Sequence, residues 1–211
     1  MCQQARSILA WTSPIQRIGG QFFKKTFQIT GRFFIFLFLG ISSVYAQTAV
    51  DYVQRGNAYQ AQENYDQAIA DYTKAIDISP EFAKAYDNRG VAYAKIGQLS
   101  SAISDFTMAI ANNPNDAQAY NNRGHAYAKL DNFFQAISDY TRAIKINPNY
   151  AKAYNNRGIA FYTTKKYDKA WADAHKVEEL GGTVDPNFIA ELRKAAPSGI
   201  PSEGGASGND K

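Results

Sequence analysis

The strongest constraint on this 211-residue chain is a sequence pattern that repeats every 34 residues. Tyrosine, glycine and alanine each recur in this register four times and proline three times, at Tyr52, Tyr86, Tyr120 and Tyr154; Gly56, Gly90, Gly124 and Gly158; Ala68, Ala102, Ala136 and Ala170; and Pro80, Pro114 and Pro148. A fixed period of about 20 to 50 residues is typical of stacked arrays, in which each unit contacts only its neighbours. The sequence therefore predicts an array rather than one globular core.

Each unit is predicted to form two helices. We number the units 1 to 34 from Ala49, Ala83, Ala117 and Ala151. At about 100° per residue, positions 4, 8 and 11 share one stripe of a first helix, and positions 20, 24, 27 and 28 share one stripe of a second. The proline at position 32 ends the second helix, since it lacks an N–H and disfavours the α conformation in the preceding residue.

Glycine at position 8 lies inside the predicted first helix, where it costs about 0.5 to 1 kcal/mol relative to alanine. Its recurrence in all four units indicates that a larger side chain would be worse. We therefore predict that the paired helix approaches closely here and that the small alanine at position 20 faces the glycine.

The motif Tyr-x-x-Arg-Gly-x-x-Tyr, followed by Ala-x-x-x-aromatic and then Pro, resembles the tetratricopeptide repeat (TPR). The resemblance covers residues 49–182 and implies an all-α, right-handed solenoid of helical hairpins. It has about four units, 49–82, 83–116, 117–150 and 151–182, and the array domain as a whole is 47–182. The fourth unit departs from the pattern at Ala174, Glu178 and Gly182.

Position 7, usually leucine in TPR proteins, is arginine in every unit of this chain, and position 23 is aspartate in every unit. The pairs are Arg55 and Asp71, Arg89 and Asp105, Arg123 and Asp139, and Arg157 and Asp173. Because arginine binds carboxylates in a bidentate geometry, we expect each pair to bridge the two helices of its unit.

A capping helix is predicted over residues 183–196, because a stack leaves its last apolar face open. Asp185 can cap this helix, Pro186 suits its first position, and one apolar face contains Phe188, Ile189 and Leu192. The composition of residues 197–211 predicts a disordered tail.

Residues 1–46 are interpreted as an export leader without a place in the fold. The segment has five basic residues and no acidic one, and its apolar block runs from Phe33 to Val44. As a helix this block spans about 18 Å, too short for a bilayer core of about 30 Å. Cleavage is predicted between Ala46 and Gln47, giving a periplasmic or secreted protein. The alternatives are an uncleaved membrane anchor, an organelle transit peptide before a second signal, and an over-extended start.

Composition argues against nucleic-acid binding and catalysis. Beyond the leader the chain carries 18 basic and 19 acidic residues, so it lacks the positive excess that binds phosphates. That part has no cysteine and two histidines, His125 and His175, neither with an acidic partner at metal-site or triad spacing. His175 is assigned to the surface. We therefore predict no enzyme, no metal site and no cofactor.

Binding is predicted on the face of the first helix opposite its buried stripe, at positions 2, 5, 6, 9, 12 and 13, a face that in TPR proteins lines the concave groove. Amides recur there at positions 5 and 6, and an amide can both donate to and accept from an extended peptide backbone. They are Asn88, Asn121, Asn122, Asn155 and Asn156. The alternative is that they are only the local preference of a solvated helix face.

Lysines share this face with a single acidic residue, Asp87, so the groove is expected to favour acidic segments. They are Lys84, Lys95, Lys129 and Lys152. His125, at position 9, either contacts the partner or is plain solvated surface. The pattern of lysine and asparagine that forms the dicarboxylate clamp of chaperone-binding TPR domains is not matched, which argues against a chaperone-tail receptor.

The sequence therefore predicts a non-catalytic interaction module that binds an extended protein or peptide segment, preferably acidic, in the groove. It would contact a membrane only through an uncleaved leader. The alternative is a structural element of a cell-envelope assembly whose ends stack between chains, and we expect a monomer or weak self-association.

Overall fold

The structure is a computed structural model, and it describes residues 48–196. The predicted leader, its cleavage between Ala46 and Gln47, the membrane-anchor alternative and the predicted tail all lie outside the described residues. Within this range no helix is both long and apolar enough to cross a bilayer.

The described residues form helices and no strands, as the repeat predicts. Helix α1 comprises residues 48–61, and eight further helices follow: α2 Tyr65–Ile78, α3 Ala83–Lys95, α4 Leu99–Asn112, α5 Ala117–Lys129, α6 Phe133–Ile146, α7 Ala151–Thr163, α8 Tyr167–Glu179 and α9 Pro186–Ala195. Helices α1 to α8 form the four helical hairpins, so the predicted all-α solenoid is confirmed, and α9 occupies the predicted capping segment.

In each unit, a residue with a left-handed backbone conformation lies in the turn between the first and the second helix. Position 15 has a positive φ in every unit: 60° at Glu63, 80° at Gly97, 57° at Asp131 and 58° at Lys165. Only the second unit uses glycine, the residue without a steric penalty in this conformation. At the other end, Ser79, Asn113 and Asn147 leave the α region just before each proline, with ψ of 87°, 85° and 95°.

The core consists of the predicted stripe of the second helices and of small residues on the first helices. Position 20 is an alanine with 0% exposure in all four units, and Tyr72, Phe106 and Tyr140 at position 24 are at most 1% exposed. Positions 3 and 10 of the first helix also belong to the core, which was not predicted: Ala85, Ala92 and their equivalents in the next two units are buried.

The predicted close approach of the paired helix at position 8 is confirmed, but the tightest contact is not with the alanine at position 20. A Cβ built at Gly124 would lie 2.8 Å from Cε1 of Tyr140 and 3.2 Å from the carbonyl oxygen of Ala136, and one at Gly90 would lie 2.8 Å from Cε1 of Phe106. The aromatic ring at position 24 is therefore the main obstacle to a side chain here, and the backbone at position 20 adds to it in the third unit. At Gly158 the facing position is Ala174, and the nearest atom is Cβ of Asp173 at 3.3 Å.

The predicted pairing of Arg and Asp is confirmed in all four units. In the third unit Nε and Nη2 of Arg123 donate to the two carboxylate oxygens of Asp139, both at 2.8 Å. The same guanidinium donates from Nη1 to Oγ1 of Thr107 in the preceding unit, at 3.1 Å. The second and fourth units repeat this bond with Thr73 and Thr141. In units two to four the arginine at position 7 therefore joins the two helices of its own unit and also binds the preceding unit.

Helix α9 covers the last hairpin, as predicted for a cap. Asp185 accepts a hydrogen bond from the backbone N–H of Asn187, and Pro186 begins the helix. Leu192 is fully buried, and Phe188 packs edge-on against Tyr162 with ring centroids 5.7 Å apart. His175, which stands where other units have the threonine, is half-buried and stacks on Trp171.

The first helices line the inner side of the array. Successive first helices, α3 with α5 and α5 with α7, contact each other directly, whereas the second helices contact the first helix of the next unit. Elements that approach each other along a curved stack lie on its concave side, so α3, α5 and α7 define the groove.

Candidate functional site

A cavity of about 590 Å³ opens between the first helices of units two, three and four, and it gathers most of the predicted site residues. Seven of them line it: Lys95, Asn121, Asn122, His125, Lys129, Lys152 and Asn156. Helices α3, α5 and α7 contribute most of the lining, and α4 adds Leu99 and Phe106. None of the described residues that line the cavity is acidic.

Three predicted site residues do not line this cavity. Asn88 is half-buried on α3 and donates from Nδ2 to Oδ1 of Asn57 at 2.8 Å. Asn155 is half-buried on α7, and it is the position-5 residue of the last unit. Lys84 is exposed, and its Nζ lies 3.0 Å from Oδ2 of Asp87, so its charge is already paired within its own helix.

The side-chain amides at position 6 donate hydrogen bonds to the preceding unit, so not all of their donors are free. Nδ2 of Asn122 donates to Oδ1 of Asp87 at 3.0 Å, and Nδ2 of Asn156 donates to Oδ1 of Asn121 at 2.9 Å. The acceptors at position 5 are buried, each with 1% exposure. The expectation that Asn121 lies on a solvated face is therefore wrong, since it is an inter-repeat contact in the wall of the groove.

The bonds to the preceding unit leave the side-chain amides at position 6 with groups that can still bind a ligand. Each primary amide has two N–H donors and an acceptor oxygen, and the inter-repeat bond uses one donor. Asn122 and Asn156 both line the cavity, and each makes only this one side-chain bond among the described residues, so a second donor and the carbonyl oxygen are not used by it. One amide can thus hold two units together and also bind a ligand.

Positive charge is concentrated around His125. Lys95 on α3, Lys129 on α5 and Lys152 on α7 are all exposed, and the one acidic residue of this face, Asp87, is buried and bonded to Lys84 and Asn122. Partial desolvation, followed by the charges of Lys129, Lys152 and Lys95, lowers the pKa of His125 below its usual value. The groove thus favours a neutral imidazole and a bound anion.

An apolar pocket of about 200 Å³ adjoins the basic cavity. His125, Lys129 and Asn156 line both spaces, while Phe133, Tyr140, Ile159 and Ala160 belong to the pocket alone. This pocket was not predicted from the sequence. Its signal is Ile159 at position 9, an aliphatic residue on the predicted solvated face, which is 43% exposed.

Models of the TPR family match most of the array. The description "TPR repeat" matches residues 56–97, and "tetratricopeptide repeat" matches residues 83–116, 117–150 and 139–172. Two of these ranges coincide with the second and third units. The chain belongs to the tetratricopeptide repeat family, whose members are generally protein-interaction modules.

Solved TPR structures resemble the chain in fold. The first TPR of Spaghetti (RPAP3), bound to the HSP90 peptide SRMEEVD, is 33% identical with a TM-score of 0.56, covering 56% of this chain and 94% of its own. The first TPR domain of human RPAP3 is 31% identical, with a TM-score of 0.56 and coverages of 57% and 95%. MamA is 25% identical, with a TM-score of 0.61 and coverages of 74% and 92%. No curated protein sequence matches the chain significantly.

Proposed function

We propose that the array is a non-catalytic scaffold that binds an extended acidic segment of a partner protein in the groove formed by α3, α5 and α7. The observation that carries this proposal is the convergence of Lys95, Lys129 and Lys152 on one cavity without an acidic lining residue. Uncompensated positive charge in a concave site attracts carboxylates and steers their approach.

The amides add recognition of the backbone to this attraction. The free donor and the acceptor oxygen of Asn122 and Asn156 suit the alternating N–H and C=O groups of an extended peptide. A TPR structure 33% identical to this chain is bound to a peptide with two glutamates and an aspartate, which supports an acidic segment as ligand.

Binding of a fluorescein-labelled peptide of alternating glutamate and serine, followed by anisotropy, tests this proposal on the purified protein. Lys95→Gln with Lys129→Gln should weaken binding about ten-fold at low salt, if each exposed ion pair is worth about 0.7 kcal/mol. The loss should shrink at high salt because screening already weakens the wild-type interaction.

The matched control is Lys145→Gln with Lys165→Gln. Both lysines are exposed and neither lines the groove, so the net charge changes equally while the site does not. An equal loss in the two double variants would show that only net charge matters, and no loss in either would remove the groove as the site.

The proposal extends to the location of the protein. An array exported after cleavage between Ala46 and Gln47 would meet its partner in the periplasm or outside the cell. N-terminal sequencing of the native protein should give Gln47 as the first residue, whereas an intact leader on a membrane-bound chain would indicate an anchor.

End-to-end self-association, the alternative function, requires a free last face. Helix α9 covers that face through the buried Leu192 and the contact of Phe188 with Tyr162. We therefore propose that the protein acts as a monomer, and its mass in dilute solution should not change with concentration.

A further inference from the structure

Two adjoining spaces, one ringed by lysines and one lined mainly by apolar side chains, share a wall at the centre of the array. The basic cavity measures about 590 Å³ and the apolar pocket about 200 Å³, and His125, Lys129 and Asn156 line both. A ligand in one space therefore lies next to the entrance of the other. The proposed function accounts for the basic cavity but gives no role to the pocket.

The pocket is built to take an apolar side chain. Tyr140 is 1% exposed and Ala160 2% exposed, so its base is part of the packed core and is formed before any ligand arrives. Ile159 forms an exposed rim, with 43% of its surface open. A volume of about 200 Å³ is several times the roughly 30 Å³ share of one water molecule, which leaves room for a large aliphatic or aromatic side chain.

The geometry of an extended chain sets the spacing between the two kinds of side chain. In a strand, residues i and i+2 point to the same side, about 6.6 to 6.8 Å apart. Because the two spaces are contiguous, one peptide can place an acidic side chain among the lysines and the side chain two residues away in the pocket.

We propose that the partner segment is recognised as a two-part motif, an acidic residue with a large apolar residue two positions away, held at the basic cavity and the apolar pocket at once. This inference rests on the proposed function and names the ligand class of the same groove. It assigns the apolar pocket formed by α5, α6 and α7 as the determinant that distinguishes true partners from other acidic chains.

The other exposed apolar side chains do not offer an equivalent site. Leu130 is 48% exposed and Ile96 is 38% exposed, yet neither lines the basic cavity or the pocket. They lie at position 14, at the end of the first helix. Leu130 therefore provides a matched control for Ile159, with comparable exposure and no place in the pocket.

Four labelled peptides on the purified protein test the motif. The first has glutamates spaced by serine, the second adds leucine two residues from a glutamate, the third moves that leucine six residues away, and the fourth keeps the leucine but replaces glutamate by glutamine. The second peptide should bind about ten-fold more tightly than the first and third, and the fourth should bind weakly.

The gain from leucine should disappear in Ile159→Ser and persist in Leu130→Ser. Both substitutions are at exposed positions, and circular dichroism should show unchanged helicity. If leucine adds nothing to the wild-type affinity, or if its gain survives Ile159→Ser, the two-part motif is refuted while the binding of the first peptide still supports an acidic ligand.

Failure of the proposed function has a different signature. If the neutral fourth peptide binds as tightly as the second, the lysines have no role and both the acidic ligand and the two-part motif are refuted. If no peptide binds at all, the groove is not the binding site and both proposals fall together.

Discussion

Substituting alanine for the glycine at position 8 should have opposite consequences in neighbouring units. Gly124 and Gly158 occupy the same place in α5 and α7, so the gain in helix propensity, about 0.5 to 1 kcal/mol, is the same for both. What differs is the residue at position 24, which is Tyr140 in the third unit and Ala174 in the fourth, and only Tyr140 reaches the glycine of its unit.

At Gly124 the added methyl group has no room. It would lie 2.8 Å and 3.0 Å from two carbons of the Tyr140 ring and 3.2 Å from the carbonyl oxygen of Ala136. The ring cannot swing outward without opening the core, because Tyr140 is only 1% exposed. Overpacking of this kind costs about 1 to 3 kcal/mol. After the gain in propensity, Gly124→Ala should destabilise the array by about 0 to 2.5 kcal/mol.

At Gly158 the nearest atoms are Cβ of Asp173 at 3.3 Å and the carbonyl oxygen of Ala170 at 3.5 Å. A shift of a few tenths of an ångström relieves the first contact. Gly158→Ala should therefore be neutral or stabilising by up to about 1 kcal/mol, and the two variants should differ by about 1 to 3 kcal/mol.

Urea denaturation followed by circular dichroism measures this difference as a shift of the midpoint at constant slope. The slope must be compared first, since repeat arrays can unfold in more than one step. In a Tyr140→Leu background the penalty at Gly124 should shrink, because the two sites are in contact and their effects are not additive. Equal effects of the two alanine substitutions, or no change of the penalty in that background, would refute the argument from ring contact.

Three further predictions concern the groove and the ion pairs. Asn156→Ala should lower stability in thermal melts by about 1 to 3 kcal/mol by leaving the buried oxygen of Asn121 without its donor, whereas Asn155→Ala should change it by less than about 0.5 kcal/mol. A bound carboxylate should raise the depressed pKa of His125, so anisotropy titrations should show tighter binding of the acidic peptide as the pH falls through the pKa that His125 has in the complex, and His125→Gln should abolish this dependence. The guanidinium of Arg55 lowers the pKa of the Asp71 carboxyl. The stability that this ion pair contributes is therefore complete above the unfolded-state pKa of Asp71 and is lost as the pH falls through the folded-state pKa. The urea midpoint of Asp71→Asn should accordingly depend less on pH in acid than that of the wild type.

The repeat made the fold predictable, because its evidence is local and occurs four times. Proline at position 32 and alanine at position 20 each determine one feature of a helix or its packing, so the hairpins and their ends follow from the sequence. The salt bridge between Arg123 and Asp139 was predictable for the same reason, since both members recur in register.

Contacts between units were harder to predict, because the pattern within one unit does not show which side chains of neighbouring units meet. The bond from Asn156 to Asn121 joins residues 35 positions apart, and the bond from Arg123 to Thr107 joins residues 16 positions apart across a unit boundary. A helical wheel places position 5 on the open face, and only the packing of the preceding unit shows that Asn121 is buried. The apolar pocket was missed because it forms only where α5 and α6 of the third unit meet α7 of the fourth.

The inter-repeat bonds also give each unit a leading and a trailing surface that are complementary. Residues 117–150 carry both: Asn122 and Arg123 reach back to the unit before, while Asn121 and Thr141 receive the unit that follows. If a copy of this segment were inserted after residue 150, its asparagine and arginine donors could bind Asn121 and Thr141 of the original unit. The copy would present the same two acceptors to α7. The array can thus lengthen by duplication of a single unit without a new core, and its end is set by His175 and α9, which break the series.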